Sequence, residues 1–336
     1  MSKAPNAFPT STQETLAGYS VALLPRAKIN TSRWDKCIEN ALNESPLAYS
    51  WVLDHLSPNW MGLILGNYDG IMPLPARKQF GLNFIQMPEG VLTLGLFSNK
   101  SEIISLFPGI LNHSAFSKYH FINYNGAIKT VPTSLHQGSK IKQTYELNLS
   151  DSYKNLYRHF SQSHKRNIKH FHSTNLKIDS NPASFVYTSL LENLGKKRPE
   201  LFMSHTSRIR IQEMTHQALN KNMGKTYSVW ENDNLIGGAF FLIGNKRIIA
   251  FHLANARGRF HKTSFAIIDK FIQEHSEQEK TLDFAGSVIP NVATFNHRFG
   301  ATPANYLAVT INKLPQPLKW AKEKNLLFNL KRLFFK

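Results

Sequence analysis

Asp283, Arg298 and Tyr306 are the residues best suited to chemistry by type and spacing. All three fall in one stretch, LDFAGSVIPNVATFNHRFGATPANY, residues 282–306. A carboxylate at the end of a short hydrophobic strand (Leu282, Phe284) can orient an amine or take its proton. It can equally cap the Gly286-Ser287 turn that follows. Arg298 offers a guanidinium to a phosphate or carboxylate, with a surface or stacking role as the alternative; Ser287 is a second candidate for substrate binding. Tyr306 can donate a proton or sit in a sheet as an ordinary aromatic. Gly286 and Gly300 read as a turn glycine and the stop of a brief helix, positions where a positive backbone angle excludes most other residues.

A second group of candidates lies upstream, in ANARGRFHKTSFAIIDKFI, residues 254–272. Arg257, Gly258, Arg259 and Lys262 precede a helix whose first turn lies near Thr263 and Ser264. Open amides, the positive helix end and flanking cations there could receive a pyrophosphate. A simple turn would explain the lone glycine as well. A third group is Lys154, Arg158, Lys165 and Lys169, with Arg166 and His170 nearby, on one face of a helix expected within SDSYKNLYRHFSQSHKRNIKHF. Leu156, Tyr157, Phe160, His164, Ile168 and Phe171 recur at three- and four-residue steps and form its buried stripe, with Ser150 or Asp151 as the cap. The basic ridge suits RNA phosphates, or is a solvated surface.

The elements around these groups follow from pattern. Upstream, Trp34–Leu42 and Leu47–Leu56 read as helices, the second stopped by Ser57-Pro58. Trp60–Gly81 reads as two strands about a polar turn at Asn67–Gly70, and Ser101 caps a further helix. The segment NYNGAIKTVPTSLHQGSKIKQ has no periodic apolar face and reads as a domain connection near residues 125–145. Downstream come the strand YELNL, the basic helix, two helices ending near Gly195 and Gly224, three strands with turns at Glu231–Asn234 and Gly244–Lys246, another helix, and the strand at Leu282.

Asp283, Phe284, Gly286, Ser287, Phe295, Phe299 and Gly300 occupy the positions of an Asp-Phe-x-Gly-Ser strand end followed by Phe-x-x-x-Phe-Gly. This resembles the closing segment of the peptidyltransferase-like (FemAB-like) branch of the GCN5-related N-acetyltransferase superfamily. Arg166 and Ile168 approximate that branch's Ser-x-x-x-Arg-x-x-Ile/Val pattern. Arg257 and Gly258 stand near its acyl-CoA loop, although Phe260 and His261 replace smaller residues. The resemblance implies an α/β (α+β) fold of tandem acyl-CoA N-acyltransferase-like domains, each a mixed sheet flanked by helices. Residues 20–140 would form a degenerate copy and 141–312 the copy bearing the site, followed by a basic C-terminal helix over 313–336. It also implies transfer of an acyl group to a small amine or peptide acceptor, with acyl-CoA or aminoacyl-tRNA as donor. Asp283 and Tyr306 would then be catalytic.

Composition bounds these readings. A chain of 336 residues exceeds one ordinary core and favours two domains. Its single cysteine, Cys37, excludes an intrachain disulfide framework and a cysteine-built zinc site, which points to a reducing, cytoplasmic setting. No stretch reaches the roughly 18 apolar residues of a spanning helix. Forty Lys and Arg against 22 Asp and Glu give a formal charge of +18, a surface that attracts polyanions such as tRNA. The basic segment from Lys313 onward suits docking against the body or weak contact with a membrane surface. A catalytically silent protein that binds RNA or an anionic surface is the competing class. G-x-S-x-G, a Walker loop and H-E-x-x-H are missing, and the histidines lack metal-ligand spacing, so neither a hydrolase nor a metal site is expected.

Overall fold

The structure, a computed structural model, describes residues 15–79, 81–128, 138–180, 203–255, 258–286 and 289–323. Its upstream half contains strands β1 (Thr15–Leu16), β2 (Tyr19–Pro25), β3 (Met61–Leu65), β4 (Gly70–Leu74), β5 (Ala76–Gln79), β6 (Leu82–Gln86), β7 (Phe97–Ser98) and β8 (Phe121–Ala127). Helices α1 (Thr31–Asn40), α2 (Ser50–Leu56), α3 (Ser101–Ser105) and α4 (Phe107–Ile110) accompany them. The downstream half runs β9 (Ser139–Asn148), α5 (Tyr153–Arg158), α6 (Gln162–His172), β10 (Ile178–Asp179), α7 (His205–Asn220), β11 (Gly224–Glu231), β12 (Asn234–Ile243) and β13 (Arg247–Asn255). It continues through α8 (Gly258–His261), α9 (Thr263–His275), β14 (Thr281–Asp283), α10 (Pro290–His297), β15 (Thr302–Asn312) and α11 (Leu318–Glu323).

These strands form two sheets. The smaller has the order β1-β2-β3-β4-β7, and the larger the order β10-β11-β12-β13-β14-β9-β15-β8-β6-β5. The larger sheet crosses from one half of the chain to the other where β15 pairs with β8. The result is a mixed α/β fold with a large sheet flanked by helices.

Period-two alternation on β12 and β13 separates two cores. Phe240, Leu242 and Ile249 face the first, built around Trp34, Trp60, Leu63 and Tyr124. Ala239, Phe241 and Ile248 face the second, built from Leu156, Phe160, Ile168, Ile267 and Phe271 on α5, α6, α9 and the α5–α6 connection. Trp34 and Trp60 anchor the first core with ring centroids 4.7 Å apart, and the Trp34 indole donates to the Ala48 carbonyl at 2.9 Å. Phe241 stacks on Phe271 at 3.7 Å in the second.

Turn and cap chemistry sets the boundaries. Asn232 and Asp233 both take positive φ, as the two-residue β11–β12 turn requires. The expected basic helix divides in two. Ser152 caps α5, in place of Ser150 or Asp151, and Ser161 caps α6. The break serves docking: the Ser161 amide donates to the Arg298 carbonyl at 2.9 Å, where Gly300 (φ +82°) meets His159. Ser101 is the first residue of α3 rather than its cap, and Gly224 opens β11 rather than closing a helix. The expected connection over 125–145 contains the end of β8 and the start of β9. The expected helix near Gly195 and the chain beyond Glu323 lie outside the described residues.

Glu44, between α1 and α2, ties the upstream half to the β12–β13 turn. Its carboxylate is buried and accepts the amides of Asn245, Lys246 and Arg247 at 3.2, 3.1 and 3.0 Å. A side chain on Gly244 would collide with it. Burial pushes the Glu44 carboxyl up from the usual range, and the three amides pull it part of the way back. Replacing Glu44 with Ala strands three amides in a dry contact and should cost roughly 2 to 4 kcal/mol. Glu44→Gln, which keeps one acceptor oxygen, should cost less, and denaturant midpoints of the two variants check the order.

Candidate functional site

Arg247 opens β13 on the face that carries Asp283 and Glu146. The parallel pairing of β13 with β14 sets Arg247 beside Thr281 and Ile249 beside Asp283, and antiparallel pairing sets Asp283 beside Glu146. The guanidinium Nη1 donates to Glu146 at 2.5 Å and to Asp283 Oδ2 at 3.1 Å. Asp283 Oδ1 accepts from the Thr144 hydroxyl and the Ala285 amide, both at 3.0 Å. Burial lowers the Arg247 pKa, but Asp283 and Glu146 outweigh it and leave the net shift upward. The buried Asp283 carboxylate is therefore a strand-end anchor with both oxygens engaged, one of them by the turn it was expected to cap.

Beyond this anchor the sheet opens. β13 and β14 pair at three positions only, ending at Ile249 and Asp283, while β13 continues to Asn255. Across the opening, β9 pairs with β14 at 146–148 and otherwise only with β15. The Phe284 amide still donates to the Tyr145 carbonyl at 3.0 Å, and beyond it residues 250–255 and 139–144 present strand edges toward a wedge-shaped gap. A bulge at Phe251 re-aims the backbone beside it. Strand edges that lack a partner expose amides and carbonyls able to bind a polar group.

The other candidates are dispersed. Tyr306 pairs with Lys142 and Asp283 with Glu146, four residues away on β9, so about 13 Å of strand separates them. Tyr306 is buried in the sheet, which pushes its hydroxyl up. Arg298 is exposed at the C-terminal end of α10. Gly258, Thr263 and Ser264 are buried, Arg259 is exposed, and Lys262 takes a left-handed conformation (φ +60°) at the α8–α9 junction. A Cβ on Gly237 would lie 2.5 Å from the fully buried Thr263 Oγ1, so β12 packs directly on the helix start. A CoA pyrophosphate needs open amides there, and among the described residues this point is packed, with Gly258, Thr263 and Ser264 buried. Arg257 and Ser287 lie outside the described residues.

The basic ridge spans two helices. Lys154, Arg158 and Lys169 are exposed, whereas Lys165 donates to the Arg158 carbonyl at 3.0 Å and bridges the α5–α6 break. Among the described residues no group of three or more His, Cys, Asp or Glu could hold a metal ion, and no helix is long and apolar enough to cross a membrane.

Phe295 and Phe299 gain a physical role from His164. Its ring lies 4.8, 5.3 and 4.5 Å from those of Phe265, Phe295 and Phe299, and Nε2 lies 3.0 Å from the Phe295 carbonyl. Its Nδ1 has no hydrogen-bond partner among the described residues. Arg247, Glu146, Thr144 and Glu44 were not singled out by sequence, because no local spacing links residues that meet only across strands.

The sequence matches no protein-family model and no curated protein. Solved structures share the fold. The chain superposes on FemX with a TM-score of 0.55 at 12% identity, covering 86% of this chain and 97% of that one. A C-terminal domain ascribed to a lysylphosphatidylglycerol synthetase of Agrobacterium fabrum gives 0.50 at 9% identity, covering 90% and 96%. At such identities the likeness is one of fold. It supports the expected mixed α/β fold with a sheet flanked by helices and leaves the tandem arrangement, the branch and the reaction to other observations.

Burial lowers the His164 pKa to about 4 from 6.5. The unfolded chain therefore binds the extra proton first as pH falls, so the stability held by neutral His164 is complete above about pH 6.5 and lost toward pH 4. Unfolding free energies at pH 7.5 and 4.5 should differ by less in His164→Phe than in the parent, by roughly 2 kcal/mol.

Proposed function

We propose that the chain is an acyltransferase-type enzyme that joins an acyl or aminoacyl group, carried as a tRNA ester, to the amine of a small molecule or peptide. The observation that carries this reading is the gap beyond Asp283, edged by β13 residues 250–255 and β9 residues 139–144. Attack of the amine nitrogen on the ester carbonyl forms the C–N bond. The C–O bond then breaks, the departing hydroxyl oxygen takes up a proton, and the amine releases one to solvent. Amides on the β13 edge are suited to the developing oxyanion because they are fixed before reaction. Asp283 holds the turn at Ala285 and Gly286 against that edge through Arg247, a positioning role.

The choice of donor rests on two features. The closed start of α9 disfavours a CoA pyrophosphate, and the exposed Lys154, Arg158 and Lys169 offer a tRNA phosphate contacts outside the gap. We take residues 20–140 and 141–312 as two copies of one unit joined where β8 meets β15, with residues 313–336 as an appended basic helix. A cytoplasmic setting suits such a donor.

Purified chain with radiolabelled aminoacyl-tRNA and a panel of amines should form an amide product, and Asp283→Ala should lose at least tenfold in rate while binding tRNA normally. Changing Lys154, Arg158 and Lys169 together to Gln should weaken tRNA binding and reduce its log–log salt slope by about 2 to 3. Saturable CoA binding lost in an Arg259→Ala, Lys262→Ala double variant would instead establish a thioester donor. Tight tRNA binding with no transfer to any amine would favour the silent RNA-binding reading.

A further inference from the structure

A pocket of about 220 Å³ opens on the upstream half, away from the gap, lined by Arg33, Lys36, Cys37, Asn40, Asn67, Tyr68 and Asn99. Two cations and three carboxamides line it, and no carboxylate does. Neither Arg33 nor Lys36 forms an ion pair among the described residues. Of the acidic residues next to the lining in sequence, Asp35 accepts the Ser50 amide and hydroxyl, both at 2.7 Å, and Asp69 is engaged by Lys100 at 2.8 Å and the Asn67 amide at 3.1 Å.

Three local features hold this lining in place. The Arg33 guanidinium sits 4.5 Å from the centre of the Tyr68 ring, and its Nη2 donates to the Asn67 carbonyl at 2.7 Å and to Asn67 Oδ1. Tyr68 takes φ +68°, a left-handed conformation that is costly for a bulky side chain, and its hydroxyl accepts the Asn30 amide at 3.0 Å. Both anchors act on one Arg33 nitrogen and one ring face, so Nη1 and Nε keep their donors for a ligand. Lys36, Cys37 and Asn40 follow Arg33 at three- and four-residue steps on the same face of α1.

We infer that this pocket binds a small organic oxyanion, a phosphate ester or a carboxylate that also carries hydroxyl or amide groups. The guanidinium fork and the Lys36 ammonium receive the charged end. Asn40 Nδ2 donates to the Lys36 carbonyl at 2.8 Å and Asn67 Oδ1 accepts from Arg33, which leaves Asn40 Oδ1, Asn67 Nδ2 and the Asn99 carboxamide to match hydroxyls or amides and gives little to a purely apolar tail. A volume near 220 Å³ has room for a small molecule of that kind. The inference is independent of the reaction proposed above, since no pocket residue borders the gap.

Cys37 supplies the test, because it lines the pocket and is the only cysteine of the chain. Burial first, and Asp69 second, push its thiol up to about 11, so alkylation is slow and conveniently timed at pH 9. The alkylation rate of the full chain is measured at low salt with inorganic phosphate, glycerol 3-phosphate, succinate or neutral glycerol. Glycerol 3-phosphate or succinate should slow alkylation at least fivefold in a saturable manner, and glycerol should not. The relative strength of the two anions tells a phosphate ester from a carboxylate. An Arg33→Gln, Lys36→Gln double variant, both positions being exposed, should fold normally by thermal melt and lose that protection. Absence of protection by every anion overturns the inference. So does protection that persists unchanged in the double variant, or that glycerol matches.

Discussion

The arrangement depends on one charged side chain placed where two parallel strands meet and bonded to the carboxylate at which they part. Arg247 starts the pairing of β13 with β14, beside Thr281, and its guanidinium bonds Glu146 and Asp283; the pairing ends two residues on, at Ile249 and Asp283, where the gap opens. A half-buried guanidinium with two carboxylates gains from both, whereas deleting one partner leaves charge without compensation in a poorly solvated place. Neighbouring strand edges would ordinarily pair along their length. Here the charged cluster fixes the point at which they stop, and the Asp283–Ala285 turn leads the chain away.

The upstream half reaches the same point through Glu44. By accepting three consecutive amides of the β12–β13 turn, it sets the position from which Arg247 begins its strand. Lys246 adds a bond from the other side, donating to the Ala41 carbonyl at 2.8 Å. The two halves therefore share the electrostatic anchor as well as a continuous sheet, and a change at residue 44 is felt at residue 247.

Local chemistry was legible in the sequence where it depends on near neighbours. The stripe from Leu156 to Phe171, the glycines at 286 and 300, and the turn at Asn232-Asp233 each follow from periodicity or backbone freedom. The strand at YELNL was legible as the end of β9, whereas residues 139–144 read as a connection because they border the gap on one edge and alternate polar side chains, with no continuous apolar signal. The helix break at Ser161 escaped because its cause, the Arg298 carbonyl, lies far away in sequence. The same holds for the anchor, whose members span residues 44 to 283. Asp283 drew notice through its motif, yet its partners Arg247 and Thr144 are defined only by register. The cations before Thr263 were equally visible, but the packing of Gly237 on that threonine was not.

Amide hydrogen exchange in Arg247→Met tests the central claim most directly, since methionine keeps much of the apolar stem and removes the charge. The account predicts faster exchange at Ile248, Ile249 and residues 281–283, with protection retained along the β11–β12 pairing, which does not rely on the anchor. Unchanged protection at 248–249 and 281–283 would contradict it, because the meeting and parting of β13 and β14 would then be fixed by something other than Arg247.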